Sequence, residues 1–217
     1  MKKLFLILAT LGVFFSCNPE NNPNNTDKTA KGLSAIDLGL SVKWGSCNLG
    51  ASKPEEFGNY YAWGETEPKD DYSRETYKFL ETDPVGRIYY TKYCSQDRLT
   101  ELKAEDDAAT IALGGKWRMP TGDELKELVD KCTWTLTSQN DVKGYLVTGP
   151  NGNSIFLPGA GMRGYTDVHY LGEPNYWSSS VFTNNGTDIW CIQINDNKIW
   201  FSGTLRWYGY SIRPVTD

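Results

Sequence analysis

The chain has 217 residues, with 22 Lys plus Arg against 27 Asp plus Glu, one histidine and a formal net charge of −5 at pH 7. An acidic chain without a basic cluster argues against nucleic acid as a partner. Aromatic residues make up 13 % of the chain, and its length suits one domain with a core of its own.

The N-terminus reads as a processing signal. Met1-Lys2-Lys3 is basic, and Leu4 to Phe15 is an apolar run of 12 residues, too short to span a bilayer. Phe14-Phe15-Ser16-Cys17 resembles the lipobox of bacterial lipoproteins, although Phe14 stands where Leu is usual. The resemblance implies a signal peptide over 1–16, lipidation of Cys17 and an outer-membrane, cell-surface location. Ordinary secretion with cleavage nearby is the alternative. Residues 17–32 are polar, rich in Asn and Pro, and read as a disordered tether. Loss of Lys2 and Lys3 with the signal moves the formal charge from −5 to −7.

Residues 33–217 remain as the folded domain. Ile36 to Trp44 alternates apolar and polar residues, which predicts a strand, and Asn59 to Gly64 reads as a second extended segment. Residues 65–98 carry no periodic signal and read as loop. Acids at Glu105-Asp106-Asp107 and the stop at Gly114-Gly115 predict a helix over 103–113. Thr121 and Glu124 form a capping-box pattern, followed by Leu125, Leu128, Val129 and Cys132 on one stripe. Beyond Thr133 the chain reads as strands. Residues 144–148 and 153–157 flank a turn at 149–152, and 189–194 and 198–201 flank Asn195-Asp196-Asn197. The pattern predicts an α+β domain, with two helices in the N-terminal half and a mostly antiparallel sheet in the C-terminal half. Cys47, Cys94, Cys132 and Cys191 allow three disulfide pairings, and free buried thiols are equally compatible.

The richest segment is the last. From Tyr176 onward there are nine aromatics (Tyr176, Trp177, Phe182, Trp190, Trp200, Phe201, Trp207, Tyr208, Tyr210) against six charged side chains. Trp and Tyr join a large apolar face to a polar tip, and surfaces rich in them bind ligands. Ile192 and Ile194 share one strand face, and Cys191 and Gln193 point the other way. Trp190 is in phase with the isoleucines and is compatible with the core. Leu205, Trp207 and Tyr208 are hard to bury together, which predicts an exposed patch. The opposing expectation is that these rings complete a core.

Five motifs stand in order along the domain: Asp37-Leu-Gly-Leu-Ser-Val-Lys-Trp, Tyr61-Ala-Trp-Gly-Glu-Thr, Gly115-Lys-Trp-Arg-Met-Pro-Thr, Tyr176-Trp-Ser-Ser-Ser and Gly209-Tyr-Ser-Ile-Arg-Pro-Val. Together they resemble the Fibrobacter succinogenes major paralogous domain of bacterial surface lipoproteins and related domains of the C-type lectin fold, over residues 36–215. The group includes the variable proteins of diversity-generating retroelements. The resemblance implies a lectin-like sheet displaying Trp190, Cys191, Gln193, Trp200, Ser202, Gly203, Thr204, Leu205, Trp207 and Tyr208 to a glycan or protein ligand. Asn184, Asn185, Gln193 and Arg206 would give directional contacts. The alternative role is a subunit of a surface assembly with these aromatics at an interface.

Glu173-Pro174-Asn175 is similar to the tripeptide that holds calcium and sugar in calcium-dependent lectins, with Asn195-Asp196 where a second ligand pair falls and Asp188 as a further oxygen donor. Ile194 replaces the usual Trp, and Asn195-Asp196 is equally a hairpin turn. No metal or cofactor is therefore expected. Nor is catalysis: His169 has no nucleophile placed by a motif, and Glu105-Asp106-Asp107 is explained as a helix start. Ser178-Ser179-Ser180 lacks a hydrolase context and suits strand-edge hydrogen bonding. The formylglycine-generating enzymes share the wider fold, but Cys191 lacks the second C-terminal cysteine that their activity needs.

Overall fold

The computed structural model describes residues 33–182 and 186–217. The expected signal peptide (1–16), Cys17, the tether (17–32), Asn184 and Asn185 lie outside the described residues.

The strands are β1 (Ala35–Ile36), β2 (Lys43–Gly45), β3 (Leu80–Thr82) and β4 (Ile88–Tyr90), then, after two helices, β5 (Thr133–Gln139), β6 (Val142–Thr148), β7 (Ser154–Pro158), β8 (Met162–Gly164), β9 (Asp167–His169), β10 (Asn175–Val181), β11 (Asp188–Asn195), β12 (Lys198–Leu205) and β13 (Val215–Thr216). The helices are α1 (Ala108–Leu113) and α2 (Gly122–Lys131). The domain is α+β, and its strands pair antiparallel in sheets ordered β1-β2-β13, β3-β4, β5-β6-β7, β8-β9 and β10-β11-β12. The expectation that the sheet belongs to the C-terminal half is corrected, because β1 to β4 lie in the first half and β13 returns to pair with β2. Within 33–217, α1 lies in the first half as expected, and α2 straddles the middle of the domain rather than lying wholly in its N-terminal half.

Local chemistry explains most elements. Thr121 and Glu124 close the capping box of α2, with the Glu124 amide donating to the Thr121 hydroxyl at 3.2 Å and the Thr121 amide to the Glu124 carboxylate at 2.8 Å. Arg118 grips the same carboxylate through both terminal nitrogens, at 2.7 and 2.6 Å. The first helix is shorter than expected: a 3-10 turn at Ala104–Asp106 precedes α1, whose N-cap is Asp107. The predicted strand over 36–44 breaks where the Gly39 amide folds back onto the Asp37 carboxylate at 2.7 Å. Leu38, Val42 and Trp44 nevertheless point inward as the alternation required.

Two large apolar clusters meet across the β10-β11-β12 sheet. Trp177, Cys191 and Ile189 face a cluster with Tyr61, Trp63, Tyr93 and Tyr210. Tyr176, Ile192 and Ile194 face the other, with Leu125, Leu128, Tyr145, Val147 and Leu157. Among the described residues both cores are filled from within 33–217, so this segment carries its own packing. The motifs behind the family resemblance serve as joints. Trp63 donates to the Ser178 carbonyl at 2.8 Å, Trp177 donates to the Tyr61 carbonyl at 2.8 Å, and Tyr210 stacks on Trp177 at 4.3 Å. Arg213, buried, donates to the Gly45 carbonyl at 3.0 Å and the Phe156 carbonyl at 2.7 Å, tying β2 to β7. No disulfide joins Cys47, Cys94, Cys132 and Cys191 among the described residues.

Candidate functional site

The register of β11 with β12 sorts the predicted residues by face. Gln193 pairs with Trp200, Cys191 with Ser202 and Ile189 with Thr204, so these share one face. Trp190, Phe201 and Leu205 belong to the other, toward α2.

Trp190 is corrected accordingly. Its indole lies flat on Phe201 at 4.3 Å and meets Phe182 edge-on at 4.3 Å, and a Cβ on Gly122 would touch it at 3.2 Å. Cys191 is 0 % exposed and sits in the core, its thiol beside the Ser202 carbonyl at 3.4 Å, so it is not displayed. Burial pushes that thiol far above its ordinary value. Leu205, Trp207 and Tyr208 are half-buried rather than an open patch, with Trp207 and Tyr208 packed on the first core cluster and Arg74 over the Trp207 ring at 6.0 Å. Thr204, also half-buried, shares the face of Trp200.

Arg206 is the largest correction. It is 0 % exposed and donates to the Tyr77 hydroxyl (2.7 Å) and to the carbonyls of Gly186 (2.8 Å), Lys92 (3.1 Å) and Tyr93 (3.2 Å). Its guanidinium lies 4.6 Å from the centroid of Tyr90 and 4.9 Å from that of Trp63. It organises the interior and is closed to ligands.

What stays open is Trp200, 54 % exposed, beside Gln193 and Ser202. These three line a cleft of about 340 Å³ with Met162, Tyr170, Glu173, Asn175 and Asn195. Gln193 is fixed from both ends, donating to the Tyr210 hydroxyl through Nε2 and accepting from Ser202 Oγ at 3.0 Å through Oε1. Asn175 pairs with Gln193 in register, and its Nδ2 donates to the Glu173 carbonyl at 3.1 Å.

The opposite wall is the turn after β9. The Glu173 amide donates to the Tyr170 carbonyl at 3.0 Å, and the Gly161 amide to the Glu173 carbonyl at 2.9 Å. The turn lies hard against residues 159–161, where a Cβ on Gly159 would meet Gly172 C at 2.3 Å and one on Gly161 would meet His169 O at 2.2 Å. Tyr170 takes φ 55°, a conformation that bulky residues adopt at a cost, and its ring is 62 % exposed at the cleft. Sequence reasoning missed Tyr170 and Met162. The apolar pair Tyr170-Leu171 directly before the turn former Gly172 was the available signal.

The calcium-like residues partly converge, since Glu173, Asn175 and Asn195 line this cleft, but Asp196 lines the adjoining hollow with Lys143 and Tyr145. One carboxylate among amides falls short of the six to eight oxygens that a hard cation takes, so the set does not fit calcium. Among the described residues no group of three or more His, Cys, Asp and Glu is placed to hold a metal. His169 is exposed beside Tyr170, with ring centroids 6.3 Å apart. Ser178 donates to the Trp190 carbonyl at 2.7 Å, Ser179 to Glu101 at 2.7 Å, and Ser180 accepts from the Gly122 amide at 2.7 Å. These hydroxyls act as strand-edge fasteners. No family model, curated protein or solved structure matches this chain.

Proposed function

We propose that this chain is an exported, lipid-anchored binding protein of C-type lectin-like fold whose cleft takes a glycan. Cys17 would carry the anchor and hold the domain at the outer membrane, facing outward. The observation that carries the reading is Trp200, a broad exposed indole edged by Gln193, Ser202, Asn175, Asn195 and Glu173. A pyranose offers an apolar face to such a ring and hydroxyls at its rim to the amides and carboxylate. Stacking and desolvation then supply affinity, and the rim supplies orientation. The work is binding, with no catalytic group, metal or cofactor assigned.

The test is a glycan array probed with residues 33–217, with calcium and with chelator, beside Trp200→Ala and Trp207→Ala. Binding that Trp200→Ala weakens at least tenfold, about 1.4 kcal/mol, and that chelator leaves unchanged is expected. Glycan binding that survives in Trp200→Ala, or a parent that binds no glycan, overturns the reading.

A further inference from the structure

The β5-β6-β7 sheet has two edges of opposite character. On the β7 side, the Phe156 carbonyl is taken by Arg213 at 2.7 Å, and Pro158 has no amide hydrogen to offer. On the β5 side nothing comparable exists among the described residues.

Which β5 groups face outward follows from its hairpin. β5 and β6 join through Asn140-Asp141, with φ 48° and 65°, the two-residue turn that makes its flanking residues a hydrogen-bonded pair. Gln139 with Val142 is that pair. Counting back by two, Thr137, Thr135 and Thr133 also bond to β6. Trp134, Leu136 and Ser138 therefore turn their amides and carbonyls to the free side. Among the described residues no backbone bond reaches β5 from that side.

Natural edge strands are blunted with charges, prolines, bulges or covering loops. β5 reads Thr-Trp-Thr-Leu-Thr-Ser-Gln, uncharged, without Pro or Gly and without a register shift against β6. Leu136 sits on the core face with Trp134, across from Tyr145, yet is 43 % exposed because no further strand covers it.

We infer that two copies of this chain pair antiparallel through β5, about a two-fold axis at Leu136, joining two three-stranded sheets into one. The strand is complementary to itself in this register. Leu136 meets the partner's Leu136, and Trp134 meets the partner's Ser138, so every outward amide finds a carbonyl. The two exposed leucines cover each other.

Sedimentation velocity of residues 33–217 from about 1 μM to about 1 mM tests the pairing, since a contact of one strand is smaller than a standard interface and forms weakly. Leu136→Pro deletes the outward amide at the axis and leaves the β6 ladder whole. Leu136→Lys sets two like charges face to face. The parent is expected to shift from monomer to dimer with concentration, while each variant that keeps the parent's circular dichroism stays monomeric. Should Leu136→Pro fail to fold, Leu136→Lys decides. A parent that is monomeric throughout the range, or folded variants that dimerise as the parent does, overturns the inference.

Discussion

The Trp190 indole lies flat on the Phe201 ring, with centroids 4.3 Å apart and planes 4° from parallel. Trp200, one residue before Phe201, points to the other face of the same sheet and is more than half exposed. Two tryptophans on one hairpin thus have opposite duties. Trp190→Ala should cost about 2–3 kcal/mol, below the roughly 3–5 kcal/mol of a fully buried large aromatic because the ring is only half-buried. Trp200→Ala should cost under about 1 kcal/mol. Urea denaturation of both variants measures the difference, and equal losses would place Trp200 in the core.

Arg206 is expected to fail as a binding residue and succeed as a stability residue. Arg206→Met would leave the Tyr77 hydroxyl and the carbonyls of Lys92, Tyr93 and Gly186 without their donor. The loss should be about 3 kcal/mol or more. Arg206→Lys should recover little, because an ammonium cannot span four acceptors as a planar fork does. Chemical denaturation that ranks Lys beside the parent would contradict this account.

Asp106 links stability to acid. Burial by itself raises its carboxyl, but hydrogen bonds from Lys92, Tyr93 and Lys78 outweigh burial and hold it below the usual carboxylate range. A lowered folded value means the stabilisation is present above the unfolded value of about 3.9 and is lost as pH falls through the folded one. Asp106→Asn should lower the urea midpoint at pH 7, and its gap from the parent should narrow by pH 3. A gap that stays constant with pH would show that the charge is irrelevant.

The thiols give a reactivity order. Burial, then the nearby Glu127 charge, pushes Cys132 up to about 11, and burial pushes Cys191 higher still. At pH 8 in native buffer a thiol-specific dye should leave Cys191 unlabelled, with Cys132 reacting slowly because little thiolate is present. Denaturant should release both. Peptide mapping after a short pulse reads the outcome, and native labelling of Cys191 would mean that the β11-β12 hairpin opens.

Local signals were legible in the sequence and remote ones were not. The Thr121/Glu124 box, the turn at 149–152 and the shared face of Ile192 and Ile194 depend on neighbours a few residues apart, and all appear in the structure. The β3-β4 hairpin falls in the stretch without periodic signal, because β3 is Leu-Glu-Thr and only Asp83-Pro84-Val85-Gly86, with Gly86 at φ 85°, marks a turn there. Arg206 could not be assigned, since its acceptors at 77, 92, 93 and 186 are distant in sequence. The alternation in β11 identified faces but not exposure, because both faces of that sheet carry core. Trp200 escapes burial on β12, the outer strand of its sheet, whereas Cys191, on the same face of the central strand, does not.

The place of β2 between β1 and β13 has a consequence in time. Gly45 and Trp44 wait for Pro214, Val215 and Arg213, the last contact spanning 168 residues. Non-local closure of this kind is slow, because loop entropy is lost before the contacts repay it. A ribosome therefore releases nearly the whole polypeptide before its first sheet can lock. The hairpins β5-β6-β7 and β10-β11-β12, paired between neighbours in sequence, can form earlier, so the two chain ends are the last part of the domain to be joined.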